Sequence, residues 1–172
     1  MDMAKACLSA GTAFGVCAIT AGSEVGGQAT HELAGCEAQI KDWDMQQLGI
    51  LQIPVMGLRR FNIISSMTQA SGLIEADVVF IEQEVDQVLP EAFVALAALT
   101  QKIVLDLEQR RPQAVQKMVE PPYEYASASW VGQRLSEFLP MPPAIKHQLM
   151  LLNDPIGRLE LVKHFLEQQG VL

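Results

Sequence analysis

The hydrophobic pattern along the chain changes its period near residue 84. Before that point, short apolar segments alternate with polar residues between glycine-containing turns, and after it apolar residues recur at helical spacing. Strands followed by helices favour an α+β fold over an alternating parallel sheet. We therefore predict a β-rich lobe over residues 1–82 and a helical lobe over residues 83–172.

A short helix is predicted at the start of the β-rich half, from Asp2 to Ala10, with its end at Gly11. Pro54 has no backbone N–H to donate and therefore indicates an edge strand or a bulge. Short apolar segments and turn residues, with Gly57 and Ser71-Gly72 as separators, predict five strands. These strands cover residues 15–20, 33–45, 49–57, 59–69 and 72–85.

The helical half contains four predicted helices, each with a recognisable start or end signal. The first runs from Pro90 to Arg111 on an apolar stripe, and the second is capped by Ser127 or Ser129. The third runs from the prolines after Met141 to Leu152. The fourth begins at an Asp154-Pro155 cap pair and ends at Gly170, a residue suited to a left-handed C-terminal cap.

Composition narrows the class of protein. Apolar residues make up 49% of the 172, which excludes a disordered chain, and the net charge is −8. Neither half is basic, so nucleic-acid binding, which depends largely on cations that neutralise phosphates, is not favoured. We find no apolar run long enough for a membrane span and no secretory signal, and we place the protein in the cytoplasm. The odd number of cysteines, three, favours reduced thiols.

Three segments together resemble the N-terminal, substrate-recognition domain of the Lon protease family, in a stand-alone bacterial form. They are AFGVCAITAGSEVGG, the stretch from HELAGCEAQIKDWD to GLRRFNI, and the closing WVGQRLSEFLPMPPAIKHQLMLLNDPIGRLELVKHFL. The resemblance implies a PUA-like β pseudobarrel followed by a helical bundle. It also implies binding of unfolded or tagged polypeptides, or of a partner protein, in connection with proteolysis.

The start of the chain departs from this family pattern. Family members usually open with two strands around a Pro-Gly turn, whereas Met1 here corresponds to the start of the first helix. We expect that the start is misassigned or truncated, so that the pseudobarrel is incomplete. The alternative is that the protein lacks these strands and covers the exposed sheet edge by other means, such as pairing with another chain. An open sheet edge would allow the chain to form a homo-oligomer.

Candidate catalytic residues are few. The chain lacks a phosphate-binding G-x-x-x-x-G-K-[ST] loop, and we expect a non-catalytic protein without cofactor or metal. His31 and Cys36 leave a Cys/His hydrolase open as an alternative, although Cys36 falls on an apolar strand face, which is typical of a packed thiol. His147 and His164 lack local Cys or His partners and fit solvated helix positions better than zinc ligands.

Two arginine motifs are interpreted as structural. Alternation places Arg59 and Phe61 on one face and Arg60 on the other, so we expect Phe61 in the core and an arginine bonded to carboxylates or carbonyls across the sheet. Arg158 lies four residues after Asp154, a spacing that favours contact between their side chains at a helix start.

An aromatic and thioether-rich zone around the prolines of the second half is the candidate peptide-binding site, because such side chains can form an adaptable groove. The alternative is that these residues form a seam between the two lobes. A second alternative function is a small-molecule or RNA-binding PUA-like module. The peptide-binding candidates are Tyr123, Tyr125, Trp130, Phe138 and Met141.

Overall fold

The protein divides into two compact units, Met1–Gln83 and Glu84–Leu172, in a computed structural model. The predictions for residues 23–28, 48–49 and 111–118 lie outside the described residues. The structure describes residues 2–22, 29–47, 50–110 and 119–172.

Unit 1 consists of a helix and two antiparallel sheets. Its four-stranded sheet has the order β1-β2-β5-β6, so that β1 forms one edge, and β3 pairs with β4 separately. The elements are α1 (Asp2–Ala10), β1 (Phe14–Ala21), β2 (Thr30–Ile40), β3 (Asp44–Gln47), β4 (Ile50–Gln52), β5 (Val55–Thr68) and β6 (Ile74–Phe80). The predicted first helix is confirmed, and Gly11 follows it with a φ of 64°.

Several strand boundaries differ from the prediction, and β6, for example, ends at Phe80 rather than near residue 85. The strand predicted over residues 33–45 is divided, because β2 ends at Ile40 and β3 begins at Asp44. Gly57 does not separate two strands but lies inside β5, where it pairs with Ala38 of β2. Pro54 lies between β4 and β5, where its missing N–H removes no bond from the sheet, and its carbonyl accepts the N–H of Lys41 at 2.9 Å.

The buried Phe61 ring of β5 crosses two neighbouring strands. It packs over Gly35 of β2 and Gly15 of β1, and Phe61 is 5% exposed. A Cβ added at Gly35 would lie 2.4 Å from the Val16 carbonyl oxygen and 2.8 Å from the Phe61 ring. The space that the two glycines leave therefore accommodates the ring, and the prediction that Phe61 is a core residue is confirmed.

Unit 2 is helical. A single turn of 3-10 helix, Glu91–Phe93, precedes α2, so the first predicted helix begins later than Pro90. The α-helices are α2 (Val94–Arg110), α3 (Ala128–Phe138), α4 (Pro143–Leu151) and α5 (Pro155–Gln168). Their core consists of apolar side chains at helical spacing, among them Leu96, Val131, Leu135, Leu159, Val162 and Leu166, each at most 1% exposed.

The predicted helix ends of unit 2 are largely confirmed. Ser127 caps α3, because its hydroxyl accepts the N–H of Trp130, and Asp154 caps α5 through the N–H groups of Ile156 and Gly157. Gly170 follows α5 with a φ of 66°. Across the described ranges, the helices are too short or too polar to cross a membrane.

Candidate functional site

Three aromatic side chains of unit 2 come together as an aromatic cluster, which we define as Tyr123, Tyr125 and Trp130. The ring centroids of Tyr125 and Trp130 lie 5.1 Å apart in an edge-to-face arrangement. The Tyr123 ring lies 6.1 Å from that of Tyr125 and 6.4 Å from that of Trp130. These separations are within the range in which aromatic pairs attract each other, so the three rings form one surface feature.

The local sequence positions each ring differently. Trp130 lies in the first turn of α3, where its backbone N–H donates to the hydroxyl of the capping residue Ser127 at 2.9 Å. Its half-buried side chain packs against the core. Tyr123 precedes that helix, and its hydroxyl donates to the Glu108 carboxylate of α2 at 2.5 Å. The cluster is therefore anchored to two helices.

The hydroxyl of Tyr125 is a polar group at the edge of the cluster. Tyr125 is half-buried, and no other described residue makes a hydrogen bond with its hydroxyl. Burial raises the pKa of this hydroxyl, and the nearby charges of Tyr123 and Glu108 raise it further. Tyr125 therefore stays a neutral hydrogen-bond donor at neutral pH, beside an apolar ring surface.

The structure separates the other two peptide-binding candidates from the cluster. Phe138 is half-buried at the far end of α3, eight residues after Trp130, which corresponds to about 12 Å along the helix. Met141 is 6% exposed and belongs to the apolar core of unit 2. The cluster thus contains three of the five candidates.

Unit 2 has an open cleft of about 430 Å³, and some of its lining residues are neighbours of the aromatic cluster along the chain. It is lined by two segments, one with Asp86, Gln87 and Val88 and the other with Glu124, Ala126 and Ser127. The two segments are paired side by side, because the Leu89 N–H donates to the Ala126 carbonyl and the Ala128 N–H donates to the Gln87 carbonyl, both at 2.8 Å. Sequence reasoning missed this cleft because the two segments are far apart along the chain.

The acidic side chain of Asp86 is held in its charged form. It accepts the N–H groups of Gln87 and Ser129 at 2.8 and 3.0 Å. Burial opposes ionisation, but the hydrogen bonds, led by that from Ser129, outweigh it and lower the pKa of Asp86. The lining of the cleft therefore includes the charged Asp86 carboxylate, and Glu124 adds a second carboxylate.

A buried ion pair stabilises unit 2 behind these surface features. The Arg158 guanidinium donates to both oxygens of the Glu84 carboxylate, at 2.9 and 2.6 Å, and Arg158 is only 1% exposed. It also donates to the carbonyls of Leu149, at 2.9 Å, and Leu152, and Gln133 donates to Glu84 at 2.9 Å. The buried guanidinium and the buried carboxylate thus each have several hydrogen-bond partners, as buried charges require.

The prediction that the Arg158 and Asp154 side chains contact each other is wrong. Asp154 turns back to cap α5, whereas Arg158 reaches Glu84, which lies 74 residues earlier in the chain. Burial alone would raise the pKa of Glu84, but the hydrogen bond and charge of Arg158 outweigh it, and the net effect is to lower that pKa.

The arginines of β5 have structural partners. Arg59 forms an ion pair with Glu37 of β2 at 2.9 Å, and its guanidinium lies 3.5 Å from the centroid of the Phe80 ring. Arg60 donates to the Glu82 carbonyl at 3.1 Å. The expectation of an arginine bonded across the sheet is confirmed.

The Cys/His hydrolase alternative is contradicted by the geometry. His31 pairs with Ile19 and Cys36 with Val16, which are three residues apart on β1, so alternation places the two side chains on opposite faces of the sheet and about 10 Å apart along the strand. Burial is the largest effect on the Cys36 thiol and raises its pKa, which disfavours the reactive thiolate. Within the described residues, no group of three acidic, histidine or cysteine side chains could hold a metal ion.

Comparison with known proteins shows the family of the chain. The family model described as the ATP-dependent protease La (LON) substrate-binding domain matches residues 1–168, and the chain belongs to this family. The resemblance found in the sequence and the α+β fold class are confirmed. No curated protein matches the chain.

Two solved structures are similar. One is the crystal structure of a Lon N-terminal domain protein from Xanthomonas campestris, with 28% identity and a TM-score of 0.71, covering 95% of this chain and 81% of that chain. The other is the N-terminal domain of Mycobacterium avium complex Lon protease, with 17% identity, a TM-score of 0.47 and 88% coverage of both chains.

Proposed function

We propose that this chain is a non-catalytic module that binds segments of unfolded or tagged polypeptides through the aromatic cluster. The observation that carries this proposal is the convergence of Tyr123, Tyr125 and Trp130 beside an open cleft, in a chain that belongs to a substrate-binding domain family. An adaptor role, in which the bound polypeptide is passed to a proteolytic system, is the finer form of the same proposal.

The chemistry of the cluster suits a polypeptide ligand. Tyrosine and tryptophan rings supply a large apolar contact area with only two side-chain torsions to immobilise, and a polar edge that bonds backbone groups. The Tyr125 hydroxyl provides such an edge. Because these contacts do not require one particular sequence, they fit a module that meets many unfolded substrates.

The charge of the chain supports a protein ligand over RNA. The net charge is −8, and four arginines, Arg59, Arg110, Arg134 and Arg158, are each paired with a carboxylate. These four cations are partly neutralised by their carboxylates and attract phosphates less strongly. Cytoplasmic location and self-association through the β1 edge belong to the proposal as predictions.

Fluorescence of Trp130 tests the proposal. In a Trp43→Phe variant, Trp130 is the remaining tryptophan, and we expect its emission to change saturably when a carboxymethylated, permanently unfolded protein is added. Adding Tyr125→Ala should weaken this binding about five- to tenfold, because aromatic anchors dominate binding energies. Circular dichroism checks that the variants are folded.

The matched control is Ile64→Ala, which removes another apolar side chain, 68% exposed, from unit 1. We expect it to bind like the parent. An equal loss in both variants, or no loss in Tyr125→Ala, would contradict a site at the aromatic cluster.

A further inference from the structure

Strand β6 forms an edge of the four-stranded sheet. It pairs with β5 on one side, and no other strand among the described residues pairs with its other side. All seven of its residues are exposed. An edge strand presents unpaired N–H and C=O groups, to which the same strand of a second copy can add. Strand β6 is therefore a surface at which two copies of the chain could join their sheets.

The two faces of β6 differ in their chemistry. Phe80 pairs with Phe61, so alternation places every second residue of β6 on the face of the sheet that carries the Phe61 ring. The side chains on that face are all apolar: Ile74, Ala76, Val78 and Phe80. The opposite face carries Glu75, Asp77 and Val79. Apolar and β-branched side chains favour strand pairing, so any opposition to pairing must come from the two acidic residues.

Both carboxylates are held on the same face of the sheet by uncharged partners. The Asp77 carboxylate accepts the Ser65 hydroxyl of β5 at 2.7 Å. The Glu75 carboxylate accepts the Gln69 side-chain N–H at 2.5 Å. Since neither bonding partner is a cation, these hydrogen bonds do not neutralise the two charges.

The position of Asp77 decides what happens when two copies of β6 pair antiparallel. Paired side chains must lie on the same face, so a two-fold symmetric pairing is centred on one residue. The register that uses all seven residues is centred on Asp77. In this register Asp77 of one copy lies directly opposite Asp77 of the other, with about 4.5–5.5 Å between their Cβ atoms. Like charges directly opposite each other destabilise a strand pair.

A shifted register gives a shorter pairing. Centring the pair on Ala76 keeps five of the seven residues and places Glu75 opposite Asp77 twice, once on each side of the centre. Centring it on Val78 also keeps five residues, and Asp77 then lies opposite Val79. Asp77 thus opposes the longest register, and together with Glu75 it opposes one of the two shorter ones.

We infer that Asp77 keeps the β6 edge from pairing with a second copy of this chain. This inference goes beyond the proposed function and does not depend on it. The other edge of the sheet has no such residue, because the sequence of β1, FGVCAITA, contains no charged side chain. Asp77 therefore directs self-association through sheet edges away from β6 and towards β1.

Neutralising Asp77 tests the inference. Asp77→Asn removes the charge and keeps a side-chain oxygen that can accept the Ser65 hydroxyl. We expect it to dimerise about fivefold more tightly than the wild-type protein in sedimentation equilibrium, as for loss of one repulsion between charges about 5 Å apart near a surface. Circular dichroism checks that the variant is folded.

Two variants with the same change in net charge serve as controls. Glu75→Gln removes a charge from the same strand but leaves Asp77 opposite its copy in the longest register, so dimerisation should tighten by less than about twofold. Asp106→Asn removes an exposed charge from α2, away from any strand, and we expect a similarly small effect.

Amide hydrogen exchange locates the contact. In concentrated Asp77→Asn, amides of β6 should exchange more slowly than in dilute solution, because they bond to the second copy. In the wild-type protein, about 1 M NaCl should produce the same protection of β6, since salt screens the repulsion between the two carboxylates. This second measurement needs no variant.

The outcomes are distinct from those of the proposed function, because no polypeptide ligand is used. The inference is overturned if Asp77→Asn dimerises no more tightly than Asp106→Asn, or if slower exchange is confined to β1. Should Asp77→Asn fail to fold, the absence of β6 protection in the wild-type protein at high salt overturns it.

Discussion

Replacing Arg158 by alanine is expected to lower the free energy of unfolding by about 3–5 kcal/mol, because it leaves the buried Glu84 carboxylate without its partner. Arg158 is 1% exposed, Glu84 is 9% exposed, and the guanidinium also satisfies the Leu149 carbonyl. The variant leaves both of these acceptors without the guanidinium donor, and water cannot easily replace the missing charge. Urea denaturation followed by circular dichroism measures the effect.

The matched control is Arg134→Ala, which breaks an ion pair with Glu137 on the surface of α3. That change should cost at most about 1 kcal/mol, since exposed pairs contribute little. A double variant, Glu84→Leu with Arg158→Met, should recover part of the loss, because it removes the unpaired charge rather than creating one. If Arg158→Ala costs no more than Arg134→Ala, the network does not stabilise the protein in solution.

The same pair makes stability depend on pH. Arg158 holds the pKa of Glu84 below its usual 4.5. The contribution of the ion pair to the free energy of unfolding is therefore fully present above pH 4.5. As the pH falls towards the folded-state pKa, the carboxylate takes up a proton and the contribution is lost. We expect thermal stability to fall below about pH 4.5 in the wild-type protein, with a smaller fall in the Glu84→Leu, Arg158→Met variant. Equal slopes in the two proteins would contradict this origin.

Local signals predicted most of the fold. Caps at Ser127 and Asp154 and the glycine after α5 set helix ends that the structure confirms, because capping depends on a few adjacent residues. Strand boundaries were less well predicted. Gly57 looks like a turn residue in the sequence, but pairing with Ala38 of β2 keeps it inside β5, and pairing across the sheet is not visible in a local pattern.

The candidate site was predicted only in part, for a similar reason. Tyr123, Tyr125 and Trp130 are close in sequence, and the start of α3 brings their rings together. Met141 has the same apolar character, but helix packing buries it. The pairing of the Gln87–Leu89 segment with Ala126–Ala128, and that of Glu84 with Arg158, join distant parts of the chain, and neither has a spacing that a single sequence reveals.

Replacing Phe61 by alanine should have the largest effect in unit 1, lowering the free energy of unfolding by about 3–5 kcal/mol. The ring is the cover for two glycines on two other strands, and neither glycine has a side chain that can fill the space. Removing the ring therefore leaves a cavity over three strands and also exposes their backbone. Urea denaturation provides the free energy, as for Arg158.

Gly35→Ala tests the same packing from the other side. The added Cβ would lie 2.4 Å from the Val16 carbonyl oxygen, which belongs to the backbone of β1 and cannot rotate away. We expect a loss of about 1–3 kcal/mol, as for overpacking of a core. Met67→Ala is the control, since that side chain is 64% exposed and its removal should change stability by less than about 0.5 kcal/mol. If Phe61→Ala resembles Met67→Ala, the ring does not hold the three strands together, and the sheet must draw its stability from the backbone bonds between its strands.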